Sequence, residues 1–293
     1  MQLRQRGCVA GGKVTEALLQ PKNNSNGDDK EDKRSNLWAP LVIVAKSFFS
    51  SLWKYQIVNL AGVLLDALPN SLTAWLCPTL PKDELQMLSA LHKRWVRPWS
   101  ATDEDVYLLS TLWKAHWQCM HYDIPPLNAD MSSNRWKELG FQGTNPVTDF
   151  RGAGLLSLVQ LVYLVETHPR EWTAAVLTPN YFTASVGINV TMRLLVLLHL
   201  DNGVSCLAPK IPEDYTYCRA RIILSQMIYH SSIDETLRRL NEVYYACMRR
   251  LRLAWESSSK NIMLFNSLLD TCFIDVKRII NVSSSLEEFQ SLM

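Results

Sequence analysis

Residues 155–166 read Leu-Leu-Ser-Leu-Val-Gln-Leu-Val-Tyr-Leu-Val-Glu, and only Ser157 and Gln160 interrupt the apolar surface before Tyr163. A helix apolar on every side has no face to give to water, so it has to sit in the middle of a protein or a membrane. A membrane span needs ~18–20 consecutive apolar residues. Residues 152–165 supply 14 without a charge. Residues 172–192 also lack charge but contain Pro179, Asn180 and several Thr, and 194–200 is short and follows Arg193. The segment is therefore expected at the centre of a helical bundle, with Pro169 marking its end.

The rest of the chain reads as helices that could surround it. Residues 40–66 carry Lys46, Ser47, Ser50, Ser51 and Lys54 along one stripe and Ile43, Val44, Phe48, Phe49, Leu52 and Trp53 on the other. That spacing predicts an amphipathic helix. Residues 81–97 read as a helix flanked by Pro78 and Pro98. Thr102 with Asp105 three positions on is a capping-box-like start for a helix reaching about residue 122, before Pro125-Pro126. Further helices are expected over 184–200, stopped by Asp201-Asn202-Gly203, and over 213–230, 233–255 and 261–280. Strand-like alternation with hairpin turns is absent. The reading is an all-α, single-domain helical bundle.

Residues 21–36, PKNNSNGDDKEDKRSN, hold no apolar residue besides Pro21. Such a composition cannot repay the entropy of ordering. The expected organisation is a flexible, disordered leader over 1–36, an N-terminal amphipathic helical segment over 37–80, and the main domain over 81–293. The leader holds seven cations and five anions, and the remainder of the 293-residue chain is neutral overall. A near-neutral chain is not a strongly basic nucleic-acid binder. The seven cysteines include no C-x-x-C pair, so they are expected to be reduced. With no secretory start, the chain is expected in the cytoplasm. Peripheral contact with an intracellular membrane is a further expectation, either through the 40–66 helix or through the arginines of 219–255.

The information-bearing segment is 136–161, WKELGFQGTNPVTDFRGAGLLSLVQL. Gly140, Gly143 and Pro146 make it a shaped loop. Thr148 or Asp149 is a good N-cap for the helix that follows. Gly152 and Gly154 allow close approach of a neighbour. Arg151 then falls in what reads as the first turn of a helix, where the macrodipole favours acids. Either Arg151 pairs with Asp149 or Glu138 and pins the loop, or it breaks a local rule for a functional reason.

The spacing W-x3-G-F/W-Q-x3-P-x-T-D-x-R-G-x-G-x3-L-x2-L is filled by Trp136, Gly140, Phe141, Gln142, Pro146, Thr148, Asp149, Arg151, Gly152, Gly154, Leu158 and Leu161. In this the chain closely resembles the ELMO domain family, specifically the ELMO-domain-containing (ELMOD) group of GTPase-activating proteins, over about 85–280. The resemblance implies an all-α domain that activates GTP hydrolysis by Arf-family small GTPases, Arf-like members included. It implies that Arg151 is the catalytic arginine, supplied in trans to the phosphoryl oxygens. Such a protein is not an enzyme by itself and carries no cofactor, because GTP and Mg²⁺ are held by the partner. The remaining motif residues, Gln142, Asp149, Trp136, Gly140, Phe141, Pro146, Thr148, Gly152 and Gly154, are candidates for shaping the loop or touching the partner. Gln142 is read either as a second finger that orients water or as a residue bonded to loop backbone. Trp136 and Phe141 are read as packing anchors, and Asp149 as a cap that orients Arg151. The alternative implication is a non-catalytic adaptor, the role of ELMO proteins proper toward Rac exchange factors in much longer chains.

Three weaker patterns point elsewhere. His116-x2-Cys119-x-His121 lacks the spacing of a zinc pair and reads as part of a helix. Glu166, His168 and Glu171 surround the expected stop at Pro169 and read as solvated charges. Residues 219–255 carry seven arginines against three acids, which reads as a solvated face or as a surface for an acidic partner.

Overall fold

The computed structural model describes residues 80–200 and 215–293, with side chains from 219 onward in the second stretch. The expected leader, nearly all of the 37–80 segment and the 203–212 loop lie outside the described residues. Nine α-helices occur among those described: α1 Lys82–Trp95, α2 Asp103–Cys119, α3 Leu155–Thr167, α4 Pro169–Leu177, α5 Thr183–Leu197, α6 Tyr215–Ile228, α7 Ile233–Glu256, α8 Phe265–Val282 and α9 Leu286–Leu292. Short 3₁₀ turns cover Asn134–Leu139, Pro146–Arg151 and Ile262–Leu264. No described residue is in a strand, so the all-α expectation holds. No helix among them is long and apolar enough to cross a membrane.

The apolar segment is the axle of the bundle. Helix α3 packs on α1, α2, α4, α5 and α7, and Leu155 through Val162 are all buried, as are Leu164 and Val165. Its two interior polar side chains are both tied by a hydrogen bond, although the Gln160 amide nitrogen is buried with no partner among the described residues. The Ser157 hydroxyl donates to the Gly154 carbonyl at 2.7 Å, and Gln160 Oε1 accepts from the Thr191 hydroxyl of α5 at 2.7 Å. Helix α7 is the second spine. It buries Leu237, Leu240, Tyr244, Cys247, Leu251 and Trp255 at three- and four-residue intervals and contacts α1, α3, α5, α6 and α8.

The structure corrects several local expectations. Helix α3 does end just before Pro169, at Thr167, but Pro169 also opens a helix that was not expected, α4, as its first residue, where its missing N–H costs nothing. Helix α5 stops at Leu197, short of residue 200, with His199 at φ +55° just beyond. Helix α9 is an addition. Its signal is Ser285 followed by Glu288, and Ser285 Oγ accepts from the Glu288 N–H at 3.1 Å.

Thr102 caps α2 as expected, its hydroxyl accepting from the Asp105 N–H at 3.3 Å. Asp105, wholly buried, does more than complete a cap. It takes a forked bond from Arg97 and bonds from the Ser100 N–H at 2.9 Å and the Thr102 hydroxyl at 2.8 Å. Burial opposes its charge, but the bonds from Arg97, Ser100 and Thr102 outweigh that and hold the carboxyl well below the usual carboxylate range.

Candidate functional site

The 133–154 segment is fastened to the bundle by aromatic rings. Trp136 is fully buried, and its indole N–H donates to the Met131 carbonyl at 2.9 Å. Its ring lies 4.6 Å from Trp113 of α2 and 5.4 Å from Phe141, which lies 5.9 Å from Phe150. Trp99 continues the chain at 6.5 Å from Phe150. Arg135 covers the outer end, its guanidinium 3.9 Å above the Trp117 ring. Both aromatic residues of the loop motif, Trp136 and Phe141, thus point inward.

Two glycines set the path between these anchors. Gly140 has φ +94°, and a Cβ there would fall 2.4 Å from the backbone of Phe182 and Thr183. Its carbonyl accepts from Ser185 twice, from the N–H at 3.2 Å and the hydroxyl at 2.7 Å. The loop is therefore laid against the first turn of α5. Gly154 has φ +64°, and a Cβ there would fall 2.6 Å from the Arg97 carbonyl oxygen. That same oxygen accepts the Leu155 N–H at 2.9 Å. The start of α3 is thereby pinned to the α1–α2 corner that Asp105 organises.

Between these points lies the Pro146–Arg151 3₁₀ turn. Its cap is Asn145, whose side chain accepts from the Val147 N–H at 3.1 Å, with Pro146 in the first position. The expectation that Thr148 or Asp149 caps α3 is overturned: α3 begins only at Leu155, behind Gly154. Arg151 is accordingly the last residue of a short turn, where a cation does not oppose the macrodipole. The sequence anomaly came from the wrong helix boundary.

Asp149 ties the two limbs of the loop. One carboxylate oxygen accepts the Gln142 N–H at 2.9 Å, and the other accepts the Thr148 hydroxyl at 3.2 Å. It does not touch Arg151, contrary to the expected orienting role. The Arg151 Nε donates instead to the Thr148 carbonyl at 2.7 Å. Glu138 is taken by Arg135 at 2.8 Å. Arg151 is exposed and makes no ion pair with any described residue, and its two terminal nitrogens bond to none. Gln142 is exposed and joins the loop through its backbone N–H, not its amide.

Gly152 behaves differently from the other two glycines. Its φ is −85° and ψ −37°, open to any residue. A Cβ there would meet the Met192 side chain of α5, 2.7 Å from Sδ. Sequence reasoning missed Asn145, Ser185 and Met192. The Asn-Pro pair was a readable cap signal. Ser185 and Met192 lie tens of residues away and carry no local mark.

The other patterns dissolve into structure. Burial pushes the His116 imidazole down to about 4, and its Nδ1 accepts the Trp172 indole N–H at 3.1 Å. Cys119 turns toward Thr173 instead. Among the described residues no group of His, Cys, Asp and Glu could hold a metal ion. Glu171 is not a solvated charge: it is 10% exposed and takes two bonds from Arg252, itself 11% exposed. Arg238 and Arg239 both pair with Glu235, and Arg250 pairs with Asp275. Several arginines of the basic stretch are thus paired with acids, while Arg238, 54% exposed, and Arg249 keep a solvated face.

The model of the ELMO/CED-12 family matches residues 89–269. The chain is similar to ELMO domain-containing protein 2 from Homo sapiens, 42% identical over 98 residues that cover 29% of this chain and 32% of that protein. ELMO domain-containing protein B from Dictyostelium discoideum is 30% identical over 141 residues, covering 46% and 42%. ELMO domain-containing protein 3 from Homo sapiens is 60% identical over 35 residues, covering 12% and 9%. Each of these matches spans less than half of the relative's own length. No solved structure matches the chain.

Proposed function

The chain belongs to the ELMO/CED-12 family, and from that premise we propose that it is a GTPase-activating protein for an Arf-family small GTPase, supplying Arg151 in trans. The observation that carries the reading is the state of Arg151. One guanidinium nitrogen is bonded to the Thr148 carbonyl, while the two terminal nitrogens of this exposed residue bond to no described residue, on a loop that rings, glycines and Asp149 hold in shape. Orienting the side chain before the partner arrives removes part of the entropy that would otherwise oppose catalysis.

The chemistry follows from charge. GTP hydrolysis builds negative charge on the transferring phosphoryl oxygens. A guanidinium is always protonated and offers a planar fork of donors to them. Such an arginine in trans can be worth ~10³–10⁵ in rate. The partner holds GTP and Mg²⁺, and this chain brings no cofactor. The activator works in the cytoplasm, with peripheral contact where its partner sits on a membrane. Gln142 is a lesser candidate for orienting the attacking water, on the ground that its amide is left unused by the loop.

The test is single-turnover GTP hydrolysis across a panel of GTP-loaded Arf-family proteins, with the parent chain and Arg151→Lys. Lysine keeps the charge but not the fork. The expected loss is ~10²–10³ in rate, equal to ~2.7–4 kcal/mol of transition-state stabilisation. Affinity for the GTP-loaded partner and the thermal melt should barely move. Full activity of the lysine form would overturn the assignment. Binding without acceleration by the parent chain would favour the adaptor reading.

A further inference from the structure

Helix α5 is buried along most of its length, yet Met192 is 38% exposed and Val196 is 55% exposed, one turn apart on its outward side. Met192 stands next to the arginine loop, and Val196 continues the same side of α5 one turn further on. The 3₁₀ turn that ends in Arg151 packs on α5. Met192 lies over the exposed backbone of Gly152, its sulfur 2.7 Å from where a Cβ would stand. The backbone at Gly152 does not require glycine, so the absent side chain is explained by the seat it leaves for Met192. The nearest charge on α5, Arg193, is balanced by an exposed ion pair with Asp270 of α8. The surface beside Arg151 therefore carries an apolar strip, Met192 and Val196, flanked by a mutually balanced ion pair, with one cation whose terminal nitrogens no described residue binds.

We propose that Met192, Val196 and the Gly152 backbone form the docking rim for the GTP-bound partner, receiving an uncharged apolar part of its surface next to the γ-phosphate. This rests on the reading of Arg151 as an arginine supplied in trans. A side chain that must reach phosphoryl oxygens brings the protein around those oxygens onto the surface around its own base. The rim continues directly from that base. Its apolar character has a catalytic consequence. Water expelled from the rim lowers the local dielectric, and the attraction between Arg151 and the developing phosphoryl charge strengthens. Near-neutral contacts that exclude water commonly ring an energetic centre in this way. Met is suited to such a place because its thioether adapts to an irregular partner.

The experiment measures affinity and rate separately. Arf-family GTPases loaded with a non-hydrolysable GTP analogue are titrated with the full chain, Val196→Asp, Met192→Ser, Arg151→Lys and a control, Leu292→Asp on the exposed side of α9, and single-turnover hydrolysis of GTP gives the rate at saturation. Val196→Asp should raise Kd at least tenfold, and Met192→Ser severalfold, with the control unchanged. The rate at saturation should fall far less than the affinity in the rim variants, and the reverse should hold for Arg151→Lys. Thermal melts accompany each variant, and Val196→Ser replaces Val196→Asp if the latter melts early. Unchanged Kd in both rim positions would overturn the docking rim while leaving the arginine reading intact. Weakened binding by the rim variants with a fully active Arg151→Lys would leave the rim and overturn the arginine reading. Failure of every loaded GTPase to bind the parent chain would overturn both.

Discussion

At the scale of single residues, three glycines of one loop serve three different needs. Gly154, at φ +64° and ψ −160°, occupies a region essentially closed to other residues, and backbone fills the space where a Cβ would stand. Gly154→Ala should lower stability by at least about 1–3 kcal/mol from the backbone alone. Gly140→Ala should behave similarly, because Phe182 and Thr183 backbone atoms block it. Gly152→Ala meets only a flexible methionine and should melt within about 1 kcal/mol of the parent, while weakening partner affinity by displacing Met192. Thermal melts and the loaded-GTPase titration separate the three. His116 makes a pH prediction. Its folded value, about 4, lies below the ordinary 6.5, so between these the unfolded chain binds the proton and the folded one does not. Stability should rise with pH across that window, by about 3 kcal/mol in total. His116→Gln should flatten the melt-versus-pH curve between pH 4 and 6.5.

At the scale of elements, the arginine loop is an accessory of α2 and α5. Trp136 holds it to Trp113 of α2, and Gly140 and Gly152 hold it along α5. Trp136→Ala should cost ~3–5 kcal/mol, and activity should fall together with the melting temperature. A normal melt with lost activity would make Trp136 a partner contact. The corner between α1 and α2 supports the other end through Asp105. That carboxylate's stabilisation is fully present above the ordinary carboxylate value near 3.8 and is lost as pH falls through its depressed folded value. Asp105→Asn should therefore be less stable at pH 7 by about 3 kcal/mol, with a shallower acid limb in the melt-versus-pH curve.

At the scale of the whole described body, α4 and α7 are joined across 81 positions of sequence by the Glu171–Arg252 pair. Arg252 also reaches Glu256 at 2.7 Å. Removing one partner from a pair this buried leaves a charge unmatched. Glu171→Gln should cost ~3 kcal/mol or more. The double change Glu171→Leu with Arg252→Met should recover most of that loss, because packed apolar groups often replace a buried pair without penalty. Chemical denaturation of the three chains checks both. Recovery would show that the pair is dispensable for stability once both charges are gone.

The sequence by itself determined the helical class, the central place of 155–166 and the identity of the motif, because these depend on composition and spacing within one segment. Caps at Thr102 and Asn145 are equally local, a side chain bonding the backbone two or three residues on. What only the tertiary structure decided depends on partners far along the chain. Glycines at 152 and 154 look alike in sequence, but one faces a side chain of α5 and the other the backbone of the α1–α2 corner. Pro169 reads as a stop and is one for α3, yet it also opens α4, which the packing of the following residues decides. Arg151 and Arg252 are both arginines near acids in sequence. One is closed into a buried pair by a glutamate 81 positions away; the other is left outward because Asp149 and Glu138 are already taken by nearer donors. Local spacing cannot rank such competing partners, since the winner is set by where the packed helices bring each group.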